Sequence, residues 1–252
     1  MALADHLREL RYRLVVSVIG IVVCAIGAAF VYEGIYRLLM YPYLQARDML
    51  TSSHPEMETV TVISGVTAPF MLALVMCVVA GLVVSCPFWL YQLWAFISPA
   101  LLKKEKKWAL TFLASAIPLF LLGVLIGYLV LPQGIFVMLS FTPDSVPITN
   151  LLEVNQFFEL TLRLMVVFGL GFLMPVVVVG LNFAGVVSAK RLGKIRSYVI
   201  FGTFVFGAAA TPSTDPFSML ALAAPMAVLY LIAELIARLH DRRSNAPAVA
   251  AA

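Results

Sequence analysis

"WALTFLASAIPLFLLGVLIGYLVL", residues 108–131, runs for 24 residues without a charged side chain. Roughly 20 apolar residues of helix cross the hydrocarbon core of a bilayer, so this stretch reads as one complete membrane span. Working outward from it, comparable apolar runs occupy about Leu14–Tyr32, Ala68–Trp89, Phe157–Leu181, Tyr198–Ala210 with its flanks, and Pro216–Ile236. Six transmembrane helices are predicted. Only "TPSTDP", residues 211–216, links the last two runs, whose charge-free cores Ser197–Thr214 and Pro216–Ala233 are 18 residues each. At about 1.5 Å per residue these are short spans of about 27 Å, which should thin the bilayer locally or tilt their neighbours.

Composition points the same way. Hydrophobic residues make up 62% of the 252-residue chain and charged residues 12%, with a mean hydropathy of +1.01. Soluble domains carry roughly a quarter charged residues. The predicted fold class is an all-α polytopic membrane protein, with one six-helix domain over residues 1–246 and a disordered Ala-rich tail at 247–252.

The net charge of +4 is explained by placement rather than by a polyanionic partner. Arg8, Arg11 and Arg13 precede the first run, and Lys103, Lys104, Lys106 and Lys107 follow the second. Lys190, Arg191, Lys194 and Arg196 follow the fourth, and Arg238, Arg242 and Arg243 follow the sixth. That places 14 of the 17 basic residues on one side of a six-span chain, while Glu33, Asp48, Glu56, Glu58, Asp144, Glu153 and Asp215 fall on the other. Positive charge stays in cytoplasmic loops, so both termini are expected in the cytoplasm. No nucleic-acid partner is implied.

The opening "ADHLRELRYRL", residues 4–14, resembles the basic start of a secretory signal, and "AIGAAF" at 25–30 offers small residues at a cleavage distance. The charge alternation needs the first run as a span, so a retained helix preceded by a short amphipathic one is expected. Glu9 and Arg13 stand at i, i+4. Two readings of Glu9 stay open on spacing alone: it pairs with Arg13, or it faces a ligand.

Motifs for enzymatic chemistry are missing: no HExxH, no GxSxG and no Gly-rich GK[ST] loop. His6, His54 and His240 lie in separate segments, and Cys24, Cys77 and Cys86 lack CxxC spacing. No catalytic residue, metal or cofactor is predicted. Gly123 and Gly127 form a GxxxG suited to close helix packing inside the chain. Pro87, Pro118, Pro175 and Pro225 are expected to bend their helices into a curved wall. Glu159–Arg163 and Glu234–Arg238 read as i, i+4 pairs near the membrane borders, with no third polar partner evident.

Four segments carry a family resemblance. "HLRELRYRL" at 6–14, "YPY" at 41–43, "FISPALLKKEKK" at 96–107 and "ATPSTDPFSMLALAAPM" at 210–226 together resemble the TatC component of the twin-arginine protein translocase. The resemblance implies a membrane receptor that binds the twin-arginine signal peptides of folded substrates, assembles with TatA- and TatB-type single-span proteins and is driven by the proton gradient. With no organelle transit segment evident, it points to a bacterial plasma membrane. It also implies roles for particular residues: Glu9 and Glu105 contact the arginine pair, His6, Arg11 and Phe96 support the cytoplasmic site, and Pro42 and Asp215 act on the outer side. Glu105 is the one acid among Lys103, Lys104, Lys106 and Lys107, and a carboxylate accepts a guanidinium through two parallel hydrogen bonds that lysine cannot supply. The chain departs from the family at Leu173, where many members carry a glutamate two residues before the proline of "FGLGFLMPV". Leu173 is therefore left out of the expected site. The alternative, a small-solute secondary transporter, would call for internal repeats around a polar midplane site, and none is found.

Overall fold

The computed structural model describes residues 3–53, 59–97, 105–140, 150–183, 187–210 and 216–249. Its elements are α1 (Leu3–Ala29), α2 (Tyr32–Ser53), β1 (Thr59–Val62), α3 (Ala68–Val84), α4 (Cys86–Ile97), α5 (Glu105–Leu139), β2 (Asn150–Glu153), α6 (Val154–Phe183), α7 (Ala189–Ala210) and α8 (Pro216–Val249). The chain is an all-α polytopic membrane protein, with one small sheet among the described residues. α1, α5, α6 and α8 are each long and apolar enough to span a bilayer, and the bent pair α3–α4 makes a fifth candidate. α7 is shorter in apolar length, because Lys190, Arg191, Lys194 and Arg196 fill its first two turns. From Ser197 to Ala210 it offers about 21 Å of uncharged helix, by the usual rise per residue.

Several expectations are revised. The amphipathic opening and the first span form one continuous helix, α1, with no break between Arg13 and Val15; nothing in "RLVV" interrupts the helical bonds. The loop after α1 contains a further helix, α2, whose Leu39, Tyr43 and Ala46 are buried at i, i+4 and i+7 spacing. The loops on that side are joined by a two-stranded parallel sheet, with Thr59 opposite Asn150 and Val62 opposite Glu153. The α8 backbone is helical through Val249, and residues 250–252 lie outside the described ones.

Of the prolines expected to bend spans, Pro87 stands at a sharp break, where α3 and α4 meet at 62° around Ser85. Ser85 N–H still bonds Gly81 O, and the Trp89 indole N–H, 2.9 Å from Leu82 O, replaces the helical donor that carbonyl would have had. α5 and α6 continue unbroken through Pro118, Pro132 and Pro175, as α8 does through Pro225. Pro42 lies inside α2, and its missing N–H leaves the carbonyl of Leu38 without a helical donor. The Tyr128 hydroxyl of α5 donates to that carbonyl at 2.7 Å.

α5 and α6 form the central pair. A Cβ built on Gly123 would lie 2.5 Å from Phe168 O, and one on Gly127 3.1 Å from Leu164 O, so the GxxxG does pack inside the chain. Phe120, Phe168 and Phe172 are buried around this seam.

Candidate functional site

The N-terminal end of α1, the C-terminal end of α4 and the start of α5 share one end of the bundle. Arg13 fixes the first contact: its Nε and Nη2 donate to Glu9 Oε1 at 3.0 and 2.7 Å, while its Nη1 reaches Gln92 Oε1 of α4 at 3.4 Å. Both donors to Glu9 fall on the same oxygen. Among the described residues Oε2 has no partner, and the Glu9 side chain keeps 25% of its surface. The intrahelical pair and an open carboxylate oxygen therefore coexist.

α4 carries this contact toward α5. Leu90 and Trp94, one turn apart, are buried against Phe112, Ala116 and Phe120 of α5, and the Trp94 and Phe112 rings stack at 4.6 Å. α4 is described to Ile97, and residues 98–104 lie outside the described ones. α5 then begins at Glu105. The packing of Trp94 on Phe112 thus sets where the first turn of α5 lies relative to α1.

The other expected residues are placed as follows. His6 lies in the first turns of α1, and for it and Glu105 only the backbone is described. Arg11 is exposed and Phe96 half-buried near the end of α4. Pro42 is buried in α2, on the face of the bundle formed with β1 and β2, away from the Glu9 end. Asp215 lies outside the described residues. Leu173, at 6% exposure, packs into the cluster of Trp94, Phe112 and Phe120, so its position is filled by apolar contact.

Beside this end an apolar cavity of about 300 Å³ opens between α4, α5, α6 and α8, lined by Trp94, Phe112, Pro175, Val179, Phe183 and Ile236 among others. Among the described residues the buried Trp94 indole N–H has no acceptor. No group of three or more metal-ligating side chains occurs among the described residues.

Reading the spans alone missed a second polar cluster. Glu234 of α8, 2% exposed, accepts Arg196 of α7 through Nε to Oε2 at 2.9 Å and Nη2 to Oε1 at 2.8 Å, and also accepts Arg238 Nη2. The third partner absent from the i, i+4 pattern is thus supplied by the neighbouring helix. Next to it, Asp241 Oδ2 accepts the Ala189 N–H at 2.8 Å, capping α7, and Oδ1 accepts Asn182 Nδ2 of α6 at 3.1 Å. Glu159 and Arg163, by contrast, form an exposed pair at 4.0 Å.

A set of apolar membrane-length helices with carboxylate and guanidinium groups gathered at one end defines a polytopic membrane protein whose polar chemistry lies at the border and not at the midplane. Residues 5–225 match the family described as Sec-independent protein translocase protein (TatC). A TatC protein of Frankia casuarinae is 37% identical over 247 residues, covering 96% of this chain and 67% of that protein. One from Aquifex aeolicus is 34% identical over 247 residues, covering 97% and 98%. A crystal structure of a twin-arginine translocase receptor, TatC, superposes with a TM-score of 0.76 at 33% identity, covering 92% of this chain and 99% of that one. The chain belongs to the TatC family and is a component of the twin-arginine protein-translocation machinery.

Proposed function

We propose that this chain is the non-enzymatic receptor subunit of the translocase, holding the arginine pair of a signal peptide between Glu9 and Glu105, with His6, Arg11 and Phe96 around them. The observation that carries this reading is the Glu9 carboxylate: one oxygen is held by Arg13, which fixes its orientation, and the other is open. A guanidinium arriving there gains charge-assisted hydrogen bonds from a carboxylate that is already positioned. In this reading α7 is the fifth of six spans, residues 1–246 form one domain, and both termini face the cytoplasm of a bacterium whose plasma membrane holds the protein. TatA- and TatB-type single-span proteins are its partners, the proton gradient drives transport, and Pro42 and Asp215 serve the outer side. No cofactor is required.

The test is crosslinking of twin-arginine and twin-lysine peptides to the full chain and to its Glu9→Gln, Glu105→Gln and doubly substituted forms. Loss of the arginine preference in the single variants supports the site. Wild-type affinity with arginine preference intact in both would refute it.

A further inference from the structure

Two guanidiniums meet one carboxylate at the end of the bundle where α7 begins and α8 leaves the membrane. Glu234 is 2% exposed, while the side chains of Arg196 and Arg238 keep 42% and 49% of their surfaces. Each guanidinium has five N–H donors. Arg196 commits two to Glu234 and Arg238 one, and among the described residues no other acceptor takes the remainder. The carboxylate thus orients both planar forks from the protein side, and the accessible side keeps unused donors and one net positive charge.

The depth is equally specific. Arg196 immediately precedes the uncharged core starting at Ser197, and Glu234 immediately follows the one ending at Ala233. The segments 187–197 and 234–241 hold five lysines and arginines against two carboxylates. Leu231 and Leu235 on α8, seven and three residues before Arg238 and so on the same helix face, are 41% and 57% exposed, and Phe201 on α7, five residues past Arg196 into the uncharged core, is 69% exposed. They give acyl chains an apolar surface on the membrane side of Arg238. A soluble anion would use none of that surface.

We propose that Arg196 and Arg238, oriented by Glu234, form a binding site for the phosphate of an anionic phospholipid at this membrane border. Arginine suits the role because its fork matches phosphate oxygens two at a time. The lipid's charge offsets the surplus guanidinium, and its chains cover the exposed faces of α7 and α8.

The experiment uses the full-length chain in detergent, titrated separately with dioleoylphosphatidylglycerol, dioleoylphosphatidylcholine and inorganic phosphate, with bound molecules counted by native mass spectrometry. The phosphatidylglycerol should bind in preference to the other two. Arg238→Gln, which leaves both Arg196 bonds to Glu234 in place, should weaken it by more than the roughly fivefold that any one basic residue near a membrane surface contributes. Lys190→Gln, an exposed charge on the first turn of α7, should cost no more than that general contribution. If Arg238→Gln does not fold, Arg238→Lys, which keeps the charge and loses the fork, should still show a loss in the same direction. The proposal is overturned if the Arg238 variant that folds retains wild-type affinity, if Lys190→Gln costs as much as the Arg238 change, or if inorganic phosphate binds as tightly as the lipid.

Discussion

Arg196 of α7 grips Glu234 of α8 across 38 residues of chain, through two parallel hydrogen bonds of 2.9 and 2.8 Å. Removing one partner of a buried ion pair costs about 3 to 5 kcal/mol, because the other charge is left without compensation. Here Arg238 stays on Glu234, and Arg196 is itself 42% exposed, so the expected cost of Arg196→Gln is well below that. The double variant Arg196→Gln/Glu234→Gln should recover part of that loss, since no buried charge remains. Thermal unfolding of the four forms in one detergent measures it. Additive losses, with the double variant losing as much as the two single variants together, would mean that the carboxylate gains nothing from Arg196.

The hydrogen bond from Tyr128 to the Leu38 carbonyl exists because Pro42 cannot make one. Tyr128→Phe should therefore destabilise the chain by about 1 kcal/mol, the net worth of an ordinary hydrogen bond. In a Pro42→Ala background, where residue 42 regains its N–H, the same change should cost measurably less. A double-mutant cycle on thermal unfolding reads the coupling. Additive effects would show that Tyr128 and Pro42 act independently.

Gly123 allows α5 and α6 to approach until a Cβ would lie 2.5 Å from a backbone oxygen, which no side-chain rotation can relieve. Gly123→Ala must push the two helices apart, at an expected cost of about 1 to 3 kcal/mol, typical of overpacking. Gly27→Ala on α1 is the control. Nothing lies within 4 Å of its built Cβ, and alanine favours helix by about 1 kcal/mol, so stability should be unchanged or raised. Similar unfolding temperatures for the two variants would refute the close-packing account.

Hydropathy and charge made the spans legible because a bilayer imposes a length and an apolar character that a single sequence must declare. α2 was equally present, as Leu39, Tyr43 and Ala46 at helical spacing, but Pro42 and the charges around it hid an amphipathic helix in what reads as a loop. The β1–β2 pairing joins residues 59–62 to 150–153, and a parallel partner so far away has no local signature. The Glu234 cluster was half legible. An i, i+4 spacing finds Arg238, whereas Arg196 reaches Glu234 only through the packing of α7 on α8. At the candidate site, the family motif marks Glu9 and Glu105, but the contact of Arg13 with Gln92 needed the fold.

That contact gives the sharpest test of the receptor reading. Charge-assisted hydrogen bonds are worth about 1.5 to 3 kcal/mol, so Glu9→Gln and Glu105→Gln should each weaken binding of a twin-arginine peptide about ten- to a hundredfold. Solvent access at Glu9, 25% exposed, argues for the lower end. Arg13 holds Glu9 Oε1 in the absence of peptide and so competes for the same charge. Arg13→Gln removes both that competition and the orientation Arg13 gives Glu9, so it should change peptide affinity much less than Glu9→Gln does, although it also removes the tie from α1 to Gln92 and lowers thermal stability. Equilibrium binding of twin-arginine and twin-lysine peptides to the three variants separates the two roles of Glu9. If Arg13→Gln does the same damage as Glu9→Gln while Glu105→Gln is indifferent, Glu9 serves only to pair with Arg13, and the arginine pair of the peptide binds elsewhere.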